Sequence, residues 1–294
     1  MKKAYMFLHL AVLLAGFTGI FGKLIDLNQI VLVFYRTLLA SGMLGLILLF
    51  SKNKRKYQLK DILPIAATGL VITLHWIFFY GSIKESNVSI GVVCFCLTGF
   101  FTSLLSPLIN KRKFDKYELL LSLLVLLGIV LIFSFDTTYR YGIFLGIISS
   151  FLASLFTILN EKLIDKYNVW DINFYQILTA TVFSGILVLV FKQLQPSLII
   201  VPTNMDWINL IVFAFFCTVL MYTFMLMAQR YVPAFTINLS FNLEPIYSIL
   251  LAILIFHENK SLSPTFYIGC GFIVLSIAIQ MLTLARRRNL ASSK

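Results

Sequence analysis

Charge is scarce in this chain. Only 12% of its 294 residues are charged, with 12 acidic residues against 24 lysines and arginines, while 60% are hydrophobic. So little polar surface cannot clothe a water-soluble globule, which excludes an ordinary soluble domain and makes a polytopic membrane protein the expectation. Cysteine is sparse too. Cys94, Cys96, Cys217 and Cys270 all lie inside apolar runs, which excludes a disulfide framework or a zinc site and leaves them as small buried hydrophobes. Of the 3 histidines, His257 is followed by Glu258 as in a zinc-protease helix, but HExxH needs a second histidine where Ser261 stands. There is no GxSxG and no pair of aspartates within the apolar runs, so neither catalysis, metal nor cofactor is expected.

What the chain has is apolar length. Runs of about 20 residues, enough to cross a bilayer as helices, occur at Ala4 to Phe21, Ile30 to Phe50, Ile62 to Ser82, Val88 to Asn110, Tyr117 to Phe135, Tyr141 to Leu159, Ile172 to Phe191, Trp207 to Ala228, Pro233 to Phe256 and Pro264 to Ala285. They are continuously apolar, whereas barrel strands are short and alternate. The expected fold is all-α, with ten transmembrane helices. The first run follows Met1-Lys2-Lys3 and so resembles a signal peptide; it is read as a retained span because it takes part in the repeat described below.

The net charge of +12 is distributed by side. With the N-terminus in the cytoplasm, the inner segments carry 18 basic residues, among them Lys52, Lys54, Arg55, Lys56, Lys111, Arg112, Lys113, Arg286, Arg287, Arg288 and Lys294, and the outer segments carry only Lys23, Lys84, Arg140, Lys192 and Lys260. That is the positive-inside pattern, with both termini cytoplasmic. The basic residues are accounted for by topology, and the expected partner is the lipid bilayer, not nucleic acid.

The chain also repeats itself. Lys23-Leu24-Ile25-Asp26 recurs as Lys162-Leu163-Ile164-Asp165, and the FYRTLLA of Phe34 to Ala40 is echoed by the FYQILTA of Phe174 to Ala180. Small residues four apart, Ala11, Ala15 and Gly19 in one run and Gly142, Gly146, Ser150 and Ser154 in another, make faces on which backbones can approach closely. Two five-helix halves follow, 4–135 and 141–285, with 286–294 as a basic cytoplasmic tail. Because five is odd, the second half enters the membrane upside down relative to the first. Such inverted repeats are typical of secondary transporters, with the substrate site near the midplane between the halves.

At this point a family resemblance is visible. Arg36-Thr37-Leu38-Leu39-Ala40 early in the second run, Lys23 closing the first, and the stretch Leu239 to Ile277 with its Leu243-Glu244-Pro245, Glu258 and glycine-rich following run resemble the drug/metabolite transporter superfamily, in its EamA-type branch. The resemblance implies a secondary carrier of the bacterial plasma membrane. Its substrate would be a small metabolite, an amino acid or drug-like amphipathic compound, moved by alternating access and most often exported. Two features depart from the family pattern: Gly16-Phe17-Thr18-Gly19 replaces a tryptophan-glycine, and the first half has Thr98-Gly99 where the second has Glu244-Pro245. An intramembrane enzyme, or a channel or receptor, is the alternative.

Few ionisable groups remain at depth: Arg36, His75 and Glu244. Each costs about 3 kcal/mol at a helix centre, so each should face protein or water. At about 1.5 Å per residue, Glu244 lies roughly 15 Å and His75 roughly 18 Å from the inner boundary, and Arg36 about 10 Å from the outer one. Glu244 is the candidate carrier of a coupling proton, or else a glutamate that bonds a neighbouring helix or pairs with Arg36. Pro245 is a candidate gating kink, or a static one. Asn238 and Asn242 give the same helix a polar face. Arg36 suits a substrate carboxylate, or reaches towards headgroups. His75, Trp76 and Tyr80 suggest an aromatic wall for a flat or cationic substrate, with a simple buried histidine as the alternative. Gln176 is the repeat mate of Arg36. Tyr175 beside it and Tyr222, which matches Trp76, complete the candidate substrate path.

Overall fold

The computed structural model describes residues 2–50, 57–134, 139–260, 262 and 264–292. Among them every regular element is helical, and eight helices are long and apolar enough to cross a membrane. These are α1 (Lys3–Leu24), α2 (Gln29–Leu49), α3 (Leu59–Glu85), α4 (Val88–Asn110), α6 (Arg140–Ile164), α7 (Val169–Leu194), α8 (Asn204–Gln229) and α9 (Ala234–Phe256). Two more helices, α5 (Lys116–Ser134) and α10 (Pro264–Ser292), occupy the expected fifth and tenth runs. Lys52, Lys54, Arg55, Lys56 and Lys294 lie outside the described residues, as do the side chains of Lys2 and of Arg286, Arg287 and Arg288.

Local chemistry sets the ends. Asn28 accepts from the Ile30 amide at the start of α2, and Asn168 accepts from the Trp170 amide at the start of α7, both at 2.9 Å; each cap satisfies a donor that the first helical turn leaves free. The caps stand 140 residues apart, the offset of the FYRTLLA echo. Gln58 with Asp61 and Thr203 with Asp206 form capping boxes, and so α3 begins earlier than its apolar run. α4 and α9 both stop at a left-handed residue, Lys111 and His257 respectively.

Several helices are interrupted at depth. α1 breaks at Gly16-Phe17, α4 at Cys96 and α9 between Phe241 and Glu244, and α8 passes through a π turn at Phe215–Leu220. Cys96 and Asn242 are 146 residues apart, so α4 and α9 break at corresponding points although only α9 carries a proline there. Pro245 sits in the first turn of the second α9 segment, where a missing amide donor removes no helix bond. It follows the break and does not kink a continuous helix. Ser248 Oγ donates to the Gly16 carbonyl at 2.7 Å, which ties the break in α1 to α9.

Close backbone crossings hold the bundle. A Cβ on Gly146 would lie 2.5 Å from the Cys94 Cβ, so this crossing of α6 on α4 is open only to glycine. On the far side α5 and α10 pack through Gly128 and Gly269, each of which would push a Cβ into the other's carbonyl oxygen, at 2.7 and 2.5 Å. Gly269→Leu is expected to wedge this seam open at a cost of about 1–3 kcal/mol. A thermal melt in detergent would register it as a lower midpoint, and an unchanged midpoint would mean that the seam contributes nothing.

Candidate functional site

The deep polar residues gather around one cavity of about 40 Å³, lined by Ala15 and Thr18 of α1, Arg36 of α2, His75, Trp76, Phe79 and Tyr80 of α3, Phe95 of α4, Met221 and Tyr222 of α8, and Phe241 and Glu244 of α9. Arg36 has no exposed surface, so it does not reach a headgroup. Its Nε donates to the Thr218 hydroxyl at 2.7 Å, its Nη2 to the Cys217 carbonyl at 2.8 Å, and its Nη1 to the Tyr80 hydroxyl. The guanidinium carbon lies over the Trp76 ring, 4.2 Å from its centre, and over that of Phe213, at 4.3 Å, which are cation–π distances. Trp76 Nε1 in turn donates to the Tyr222 hydroxyl at 3.0 Å. The π turn of α8 contains both Thr218 and Cys217, and so a local widening of that helix helps to hold the arginine.

Glu244 lies across the cavity. Its Oε1 is 3.1 Å from the Thr18 hydroxyl, which is also 2.8 Å from the Ala15 carbonyl at the α1 break. Among the described residues the ion pairs are Lys23 with Glu258 and Arg112 with Glu161. Arg36 and Glu244 therefore share a cavity without closing on each other. His75 Nδ1 lies 2.9 Å from the Ser149 hydroxyl and 3.0 Å from the Ser149 carbonyl, which leaves its ring as cavity wall.

A second cavity of similar volume continues behind His75, Phe95, Met221, Tyr222 and Phe241 and reaches Thr157 and Asn238. There the Asn238 amide donates to Thr102 at 2.7 Å and its oxygen accepts from Thr157 at 3.0 Å. Tyr175 and Gln176 lie elsewhere. Gln176 Nε2 donates to Thr68 and Asn160, at 2.6 and 2.7 Å, and fastens α7 to α3 and α6; the half-buried Tyr175 stacks edgewise on Tyr57 and Phe174. Asn242 and Pro245 face a groove between α9 and α10. Sequence reasoning missed Thr18, Phe79, Phe95, Phe213, Cys217, Thr218 and Phe241. Only Thr18 carried a signal, as the polar residue inside the aberrant Gly16-Phe17-Thr18-Gly19.

Two carboxylates bind helix starts near opposite ends of α4. Glu258, 4% exposed, accepts from the amides of Val88 and Ser89 at 3.0 Å each, from the Ser89 hydroxyl at 2.7 Å and from Lys23 at 2.8 Å. At the opposite end of α4, Glu161 accepts from the Ala234 amide at 2.6 Å and from Asn110 at 2.8 Å. Each carboxylate thus meets the N-terminus of a helix, which favours negative charge. Burial pushes the Glu258 carboxyl up, but Lys23, Ser89 and the two amides outweigh it and hold the group below the usual carboxylate range. A depressed folded value stabilises the protein at and above the ordinary glutamate range of about 4, and that stability drains away as the pH falls through the folded value. The melting temperature of Glu258→Gln should therefore fall below the parent's at pH 7, with the two converging as the solution is acidified. Parallel melting curves across that range would contradict the account.

A family model described as the EamA-like transporter family matches residues 2–134 and 140–282. The chain belongs to that family. It is a multi-pass membrane transporter, and its setting is the bacterial inner membrane. "Uncharacterized transporter YxxF" of Bacillus subtilis (strain 168) is 25% identical to it over 290 residues, covering 96% of this chain and 90% of that one. An "Uncharacterized transporter" of Clostridium kluyveri is 22% identical over 301 residues, covering 95% and 93%. A solved crystal structure is similar in fold at 16% identity, with a TM-score of 0.72 and coverage of 97% and 99%. Family and relatives place the transporter apart from the enzyme alternative.

Proposed function

We propose that this transporter is a secondary carrier for a small zwitterionic metabolite of the amino-acid type, exported by alternating access of two inverted five-helix halves, with ten spans and both termini in the cytoplasm. The observation that carries the reading is the cavity in which Arg36 and Glu244 face a common space unpaired. Arg36 would take the substrate carboxylate through its fork, Glu244 its ammonium or a coupling proton, and Trp76, Phe79, Tyr222 and Phe241 its side chain. Thr18 supports the proton role, since a hydroxyl can donate to an ionised Glu244 or accept from a protonated one.

The corresponding caps and the breaks in α4 and α9 support the inverted repeat. Glu258 would release α4 when one side opens and Glu161 would release α9 when the other does. Purified transporter in proteoliposomes should show saturable uptake of one or a few amino acids that responds to a pH gradient. Flux at channel rates, or hydrolysis without flux, would reject the carrier.

A further inference from the structure

The groove between α9 and α10 is separate from the cavity. α10 leans on α5 through the Gly128–Gly269 crossing, and a space of about 230 Å³ remains between α10 and α9. Ile249, Ile253 and Phe266 are among the side chains that line it, and Leu250, Tyr267 and Val274 on its rim are exposed on the apolar flank of the bundle. Among the described residues Asn242 is the one amide side chain that lines this mostly apolar space, beside the Tyr267 hydroxyl and the Cys270 thiol. Asn242 is 1% exposed, and neither its amide nitrogen nor its oxygen has a hydrogen-bond partner. An unsatisfied buried amide costs about 1–3 kcal/mol, and such groups are normally paired. Asn242 stands at the break of α9, immediately before the 13-residue segment that starts at Glu244. Its neighbours Phe241 and Glu244 line the cavity, while Asn242 and Pro245 line the groove. The two spaces are thus divided by one turn of broken helix.

We infer that this groove is a binding site for a neutral amphiphile dissolved in the bilayer, one that carries an amide next to an apolar body. The amide would pair its N–H with the Asn242 oxygen and its carbonyl with the Asn242 nitrogen, and the apolar body would lie along Ile249 and Phe266. Among the described residues no charged side chain lines the groove, so a charged headgroup finds no counter-ion among them. The inference deepens the carrier reading by giving the transporter a lateral, lipid-side entrance whose inner end abuts the cavity at the α9 break.

Photolabelling of the full-length transporter in lipid nanodiscs tests it. The probes are a diazirine-bearing decanamide, the same diazirine on decane, and a diazirine phosphatidylcholine. Decanamide should label peptides of α9 and α10, excess unlabelled decanamide should displace it, and Asn242→Leu should reduce labelling about tenfold, the worth of one or two hydrogen bonds. Ile249→Trp, which fills the groove and keeps Asn242, should abolish labelling while the protein elutes normally; it decides the matter if Asn242→Leu fails to fold. Equal labelling by decane, an unaltered signal in Asn242→Leu, or phosphatidylcholine labelling that decanamide does not displace would overturn the proposal, the last by making the groove a lipid-filled seam. The readout is binding alone, so an absence of flux in proteoliposomes would reject the carrier and leave this result standing.

Discussion

Arg36→Ala loses uptake at low substrate concentration by about thirtyfold to a few thousandfold, since truncating one partner of a buried, hydrogen-bonded charge contact costs about 2–5 kcal/mol. The arginine spends three of its five N–H donors on Thr218, Cys217 and Tyr80, which leaves two for a carboxylate, and lies over two aromatic rings. Its position is therefore fixed before a substrate arrives, which spares the ordering cost of a mobile side chain. Arg36→Lys is informative because it keeps the charge. A single ammonium cannot serve three acceptors in one plane or stack on Trp76 and Phe213, so uptake should still fall about tenfold or more. The control is a substrate analogue in which an amide replaces the carboxylate. Its weak transport should be the same in parent and variant, and if the variant impairs the analogue as much as the substrate, Arg36 is holding the bundle together and does not bind the carboxylate.

Glu244→Gln should uncouple the transporter from the pH gradient. For a carrier moving one proton per substrate, each pH unit across the membrane drives about tenfold accumulation, because one unit is worth about 1.4 kcal/mol. The amide keeps the shape and can still accept from Thr18, but it has no proton to deliver. Accumulation ratios in the variant should stay near one at every imposed gradient, while exchange of labelled for unlabelled substrate continues. If the variant accumulates substrate as the parent does, the proton travels elsewhere or not at all.

Much of this was legible in the sequence because the bilayer allows few solutions. A continuous apolar run has to become a helix, and a deep charge has to find company. That is why Arg36, His75 and Glu244, chosen for their rarity, line one cavity. Phe79, Phe95 and Phe241 were invisible among 28 phenylalanines, because only packing tells a cavity wall from a lipid-facing ring. Analogy between the halves misplaced Tyr175 and Gln176. Position 176 answers Arg36 in register, but Thr68 and Asn160 occupy its amide, so it fastens helices well away from the cavity. Helix breaks were legible only where a proline marked them. The break at Cys96 has no such residue, and that in α1 depends on Ser248, 232 positions away.

The two carboxylates that grip helix starts have a consequence for how this chain can vary. Glu258 and Glu161 bind backbone amides of Val88, Ser89 and Ala234, and every residue except proline supplies an amide. The side chains of Val88 and Ala234 are therefore free to change with little effect on these contacts, whereas the carboxylates, and Ser89 with its hydroxyl on Glu258, are not. The grip is indifferent to most of the letters it holds, and its vulnerability rests on the two acidic residues.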